Sequence, residues 1–213
     1  NSSLSGIFGI GYNINDGYLY TLEGNNISSL PLIKRNASTG AYISTGGNFD
    51  ISVTGINFLN FAIDSGGNFW FMDRGSSTTF PPTTSKVRKY DFNANYLNVE
   101  HTIATVYCDG VAIDTSQAID VIYAAGNTGL MSNTVYKINT NGGGAGSISI
   151  QGGNNSHQIM YCSPTQIIRV ADQGSSSYRY NIDTNVSLSM GNVTNWGYNG
   201  GAYNPVDKIA WIS

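Results

Sequence analysis

The run Phe61-Ala62-Ile63-Asp64-Ser65-Gly66-Gly67-Asn68-Phe69-Trp70-Phe71-Met72 consists of two short apolar segments joined by a Ser-Gly-Gly-Asn turn. Gly and Asn accept the left-handed backbone that tight hairpins need, so the run predicts two antiparallel strands. Neither segment alternates apolar with polar, which is the mark of strands covered on both faces. A third segment, Val87-Arg88-Lys89-Tyr90-Asp91, mixes basic residues with Tyr and fits a strand half exposed near a rim. Tyr96-Leu97-Asn98-Val99 is a weaker fourth.

The same order recurs along the chain. Inner segments are Gly9-Ile10-Gly11-Tyr12-Asn13, Val111-Ala112-Ile113-Asp114, Ile159-Met160-Tyr161-Cys162 and Ala202-Tyr203-Asn204. Second segments follow at Tyr18–Leu22, Asp120–Ala124, Gln166–Val170 and Lys208–Ile212, and third segments at Leu32–Asn36, Val135–Asn139 and Tyr178–Ile182. The step is roughly 50 residues, a period that marks repeat architectures, and no helical periodicity intervenes. Four strands of decreasing burial per repeat predict an all-β fold: a β-propeller of about five four-stranded blades, the last incomplete within the chain. The blades are placed at about 6–48, 49–104, 105–152, 153–193 and a partial 194–213, all within one domain spanning residues 1–213.

Blades two and three carry a family likeness. Phe61–Phe71 followed by Lys86-Val87-Arg88-Lys89-Tyr90-Asp91 resembles an NHL-type propeller blade, and Val111–Asp114 followed by Thr134-Val135-Tyr136-Lys137-Ile138 is similar. The resemblance covers about half the chain, implies a fold, and brings no catalytic signature. It departs from RNA-binding members, since no run of basic blade-top residues occurs, and from the WD40 pattern of Gly-His and Trp-Asp.

Only two strands are expected after residue 193, and Asn1 to Ser5 are too short and polar to supply two more. Three readings stay open: a five-bladed ring with a thin last blade, a fragment of a longer protein, or missing strands supplied by another molecule. An unpaired strand edge is a template for strand addition, and a head-to-tail contact that does not close builds a filament.

Charge is sparse: 10 Lys and Arg against 13 Asp and Glu in 213 residues, beside 26 Gly and 25 Asn. A net charge of −3 gives no broad grip on nucleic acid, and no long apolar run spans a membrane. The chain opens on Asn1 rather than Met, as a mature secreted product or a fragment would. Glycosylation sequons stand at Asn1, Asn26, Asn36, Asn154, Asn185 and Asn192. The Ser76–Ser85 segment offers Thr78, Thr79, Thr83 and Thr84 to O-linked sugar. Together these predict an extracellular or cell-surface glycoprotein whose sugars supply the hydrated layer that scarce charge does not.

Candidate chemistry is thin. Asp64 and Asp114 end equivalent inner strands in register with Asn13, Cys162 and Asn204. Oxygens ringed there are weak metal candidates for Ca²⁺, yet Asp and Asn serve turns in the same positions. The two Glu residues, Glu23 and Glu100, leave little material for a carboxylate pair, and His101 and His157 flank no nucleophile motif. Cys108 falls six residues before the position aligned with Cys162. That offset spans about 20 Å of strand and predicts two separate thiols. Trp196, Tyr198 and Asn199 form the best local sugar platform, while Trp70 and Trp211 belong to the core.

The leading expectation is a non-catalytic propeller, without cofactor, acting as a structural or interaction module that polymerises with itself. A carbohydrate-binding propeller is the alternative, and a propeller hydrolase or lactonase the third.

Overall fold

A computed structural model describes residues 6–24, 29–49, 60–73, 85–103, 107–127, 134–149, 156–163, 166–171, 176–184, 186–192, 201–204 and 209–212. The first sheet is β1 (Gly6–Asn13), β2 (Tyr18–Gly24), β3 (Leu30–Asn36) and β4 (Tyr42–Phe49). The second is β5 (Phe61–Ile63), β6 (Phe69–Asp73), β7 (Ser85–Tyr90) and β8 (Tyr96–Ile103). The third is β9 (Tyr107–Asp114), β10 (Val121–Asn127), β11 (Thr134–Asn139) and β12 (Gly144–Ser149). The fourth is β13 (Ser156–Ser163), β14 (Gln166–Ala171), β15 (Ser176–Asn181) and β16 (Val186–Asn192). The fifth holds β17 (Gly201–Asn204) and β18 (Ile209–Ile212).

Each of the first four sheets is an antiparallel meander in chain order, and the fifth is a two-stranded pair. Chemistry fixes each register. The turn Asp64–Asn68 closes through the Asp64 carbonyl, which accepts from Gly67 N at 2.9 Å, with Gly67 at a φ of 79°. No L side chain takes that backbone easily. In β6 every residue from Phe69 to Asp73 is buried, as its unbroken apolar run requires. In the third strand β7, Ser85, Val87 and Tyr90 are buried while Lys86, Arg88 and Lys89 are half-buried, their charges reaching water along apolar stems.

The first strands β1, β5, β9, β13 and β17 lie side by side in that order, and β17 returns to β1. Among the described residues the innermost strands therefore close a five-membered ring, and the fifth sheet holds two strands. No helix among the described residues is long and apolar enough to cross a membrane.

The core is divided among the interfaces between sheets. Sheets one and two share Leu22, Leu32, Phe49, Phe61, Phe69 and Phe71. Sheets two and three share Trp70, Met72, Val87, Ile103, Val111 and Ile122. Sheets three and four share Tyr123, Val135, Ile148, Ile159 and Tyr180. Where the fifth sheet meets the first, Ala202 packs on Ile10 and Leu19. Rims lock too: Gly47 N donates to Phe92 O at 2.9 Å, bringing β4 onto the β7–β8 turn. A Cβ at Gly47 would lie 2.0 Å from Asn93 O, so only glycine allows this approach.

Candidate interaction site

The ends of the first strands were one candidate, and the structure gives them structural partners. Asp64 accepts from Asn68 N at 2.8 Å and from the Trp70 indole at 3.0 Å, and pairs with Lys89 Nζ at 2.8 Å. Burial pushes its carboxyl up, but Lys89, the Asn68 amide and the indole outweigh that and hold it below the usual carboxylate range. Asp114 accepts from Ser116 N at 2.8 Å, Ser116 Oγ at 2.6 Å and Gln117 Nε2 at 3.2 Å, all within its own turn. Asn13 Oδ1 likewise takes Asn15 N at 3.0 Å. Among the described residues no three His, Cys, Asp or Glu side chains gather to hold a metal.

Neighbouring turns on this face latch to one another. Ser65 N donates to Asp120 Oδ2 at 2.6 Å across sheets two and three, and the Asn15 amide donates to Ser65 O from sheet one. Both glutamates are spent on ion pairs, Glu23 with Arg35 and Glu100 with Lys86 and Arg88. His101 stacks on Trp70 at 5.3 Å between ring centres and donates from Nε2 to Thr140 O at 3.0 Å. It joins sheet two to sheet three, a packing role that its place on an outer strand did not suggest. Cys108 is buried near the start of β9, and Cys162 stands next to last in β13, at the opposite end of the neighbouring first strand.

Other candidates divide by position. Asn36 opens the β3–β4 turn, its Oδ1 accepting from Ser38 N at 3.0 Å and Thr39 N at 2.9 Å, and Asn192 ends β16. Asn1, Asn26, Asn154, Asn185, Thr78, Thr79, Thr83, Thr84, Trp196, Tyr198 and Asn199 lie outside the described residues.

A division that sequence reading missed runs along the outer strands. Phe49, Ile103 and Ile148, at or next to the far ends of β4, β8 and β12, each face the following sheet and are 3%, 2% and 8% exposed. At the starting ends Tyr42 and Ile43 of β4, Tyr96 and Leu97 of β8, and Val186 and Leu188 of β16 are exposed. Leu188 pairs with Arg179 and so faces away from Tyr180, the residue buried against sheet three.

On sheet one, Arg35 grips Glu23 bidentately, Nε to Oε1 and Nη2 to Oε2, each at 2.7 Å, and Thr21 Oγ1 donates to Glu23. Burial pushes the Glu23 carboxyl up, yet Arg35 and Thr21 bring it below its ordinary value. Tyr42, paired with Arg35, stands exposed at the outer end.

No family model and no curated protein matches the sequence. Solved structures do match its shape. U3-55K aligns with a TM-score of 0.54 at 13% identity, covering 89% of this chain and 52% of that one. The fold is a β-propeller. The RRP9 WD40 repeats superpose on this propeller with a TM-score of 0.56 at 13% identity, again over 89% and 52% of the two chains. A protein of unknown function from Bacteroides caccae gives 0.51 at 11% identity, over 89% and 61%. The propeller thus spans between half and two thirds of the length of these structures, and identities this low carry the fold alone.

Proposed function

We propose that this propeller is a non-catalytic, extracellular, glycosylated interaction module whose copies join through the fifth sheet. The observation that carries the reading is the pairing of a closed inner ring with an outer edge of β18 that no described strand covers. A strand edge is a row of unspent backbone donors and acceptors, and an added strand satisfies them. Because this edge and whatever a second copy inserts are different surfaces, the contact is heterologous and propagates as a filament. The sparse charge and the six sequons support the extracellular, sugar-coated part.

Light scattering after size exclusion, with negative-stain imaging, tests the joining. Wild type is expected to form concentration-dependent oligomers that appear as filaments on the grids. A wild-type chain that stays monomeric at high concentration ends the reading. Intact mass before and after glycan removal, on protein from a secreting host, checks the sugar: an unshifted mass removes that part.

A further inference from the structure

The turn between β3 and β4 holds an amide where an oxygen alone would do. Asn36 Oδ1 accepts from Ser38 N at 3.0 Å, Thr39 N at 2.9 Å and Ser38 Oγ at 2.8 Å. In sheet two Asp91 fills the same place, its Oδ1 accepting from Asn93 N and Asn95 N at 2.9 Å each. A carboxylate therefore serves this turn, and Nδ2 of Asn36 has no partner among the described residues. Asn36-Ala37-Ser38 is also a sequon, and its hydroxyl already bonds the amide to which sugar would be joined.

Exposure along the outer strands follows the sequons. Asn36 N donates to Ala41 O at 2.8 Å, which sets the sequon beside the start of β4, where Tyr42 and Ile43 are 60% and 46% exposed. The sequon Asn185-Val186-Ser187 runs into β16, whose Val186 and Leu188 are 59% and 54% exposed. No sequon precedes β8. There Tyr96 and Leu97 are only 39% and 37% exposed, and the Tyr90 ring lies 5.4 Å from that of Tyr96 between centres. No sequon precedes β12 either, and it opens on Gly144-Ala145-Gly146 with no large apolar side chain to cover.

We infer that Asn36 carries an N-linked sugar whose first ring lies over Tyr42 and Ile43, covering apolar surface that the polypeptide leaves open. This deepens the glycosylated reading above and rests on it. Attachment joins Nδ2 to the anomeric carbon of a sugar diphosphate donor. The new C–N bond forms as the C–O bond breaks, the diphosphate leaves with that electron pair, and Nδ2 gives up one proton. A pyranose has C–H faces that pack on an aromatic ring, while its hydroxyls stay in water. Tyr42 is set to receive one, because its hydroxyl is tied to Thr45 Oγ1 at 3.1 Å. Arg35, paired with Tyr42 and donating from Nη1 to Gly40 O at 3.0 Å, steadies the turn beneath.

Secretion from a host that attaches N-linked sugar supplies the protein to test. The tryptic peptide ending at Arg74 holds no other sequon. Its mass is expected to include sugar in wild type and in Ser38→Thr, and none in Ser38→Ala. Ser38→Ala is expected to lower the melting temperature by about 2–4 °C in the secreted chain. In sugar-free protein from a bacterial cytoplasm it loses only an exposed hydroxyl, and the expected fall is under about 1 °C. On a Tyr42→Ala background, Ser38→Ala is expected to cost no more in the secreted chain than in the sugar-free one. Sugar at other sequons but not on this peptide overturns the inference and leaves the glycoprotein reading standing. Sugar on this peptide with a Ser38→Ala loss that Tyr42→Ala does not change also overturns it, since the sugar then lies away from the ring. A secreted chain bare at every sequon ends both.

Discussion

The two ends of the outer strands behave differently. Phe49, Ile103 and Ile148, at or next to the far ends of β4, β8 and β12, disappear under the next sheet, whereas Tyr42, Ile43, Tyr96, Leu97, Val186 and Leu188, at the starting ends of β4, β8 and β16, stand in water. The residues are of one kind, so composition does not explain the difference. Neighbours do: the far ends meet the apolar side chains of the following sheet, and the starting ends follow the outer turns at the rim.

Substitution energies break or sharpen this contrast. Trp70→Ala in the second interface removes a fully buried ring, its hydrogen bond to Asp64 and the surface on which His101 stacks. We expect a loss of about 3–5 kcal/mol in denaturant unfolding. Leu188→Ala on dilute, monomeric protein is expected to change stability by under about 0.5 kcal/mol. Equal losses at the two positions would mean that the start of β16 is packed, and the distinction between buried and rim positions would go.

The rim lock comes next in size. Gly47→Ala places a methyl against the Asn93 carbonyl, a backbone group that cannot swing aside, and about 3 kcal/mol is the expected loss. Gly144→Ala is the control, because a Cβ there meets nothing within 4 Å. A harmless Gly47→Ala would show that sheet one does not need its hold on the β7–β8 turn.

The two kinds of contact differ in how far they were legible. Phe69-Trp70-Phe71-Met72 announces a strand buried on both faces, because continuous apolar sequence has no other use in a short β segment. Periodic repetition of that signal was enough for the all-β propeller. Contacts between residues far apart in sequence leave no such mark. Gly46-Gly47 carries no signal of its own in the sequence, yet its glycines answer to Phe92 and Asn93 in the next sheet. Likewise Asp64 looked like a turn residue with a faint claim on metal. Its indole and lysine partners come from the two following strands of its own sheet, where only the assembled register brings them together. Glu23 and Arg35 are separated by a hairpin and carry no motif; their pairing across β2 and β3 emerges from strand register alone.

Acid separates the wild type from a variant at the buried carboxylate. Asp64 has a depressed folded value, so its contribution is complete above the unfolded carboxylate range near about pH 4 and is lost as pH falls through the lower folded value. Asp64→Asn is expected to be less stable at neutral pH, and the gap to wild type narrows as acid is added. Glu23 obeys the same sign beside Arg35. Chemical unfolding at stepped pH reads both. A gap that widens in acid would reverse the assignment of Asp64 as a charged partner of Lys89.

The smallest effect is expected inside the second sheet itself. Asn60, just before β5, is buried, and both its side-chain amide atoms lack a hydrogen-bond partner. An unsatisfied buried amide is a standing cost, whereas an apolar side chain of the same branching makes no such demand. Asn60→Leu should therefore raise stability by up to about 1 kcal/mol, with the larger methyl groups of leucine offsetting part of the gain. If stability falls instead, the amide is holding an internal water, for a water needs polar partners that leucine lacks. The sign thus tells whether the second sheet's first strand is sealed by packing alone, as the strands beside it are, or by solvent kept inside the ring.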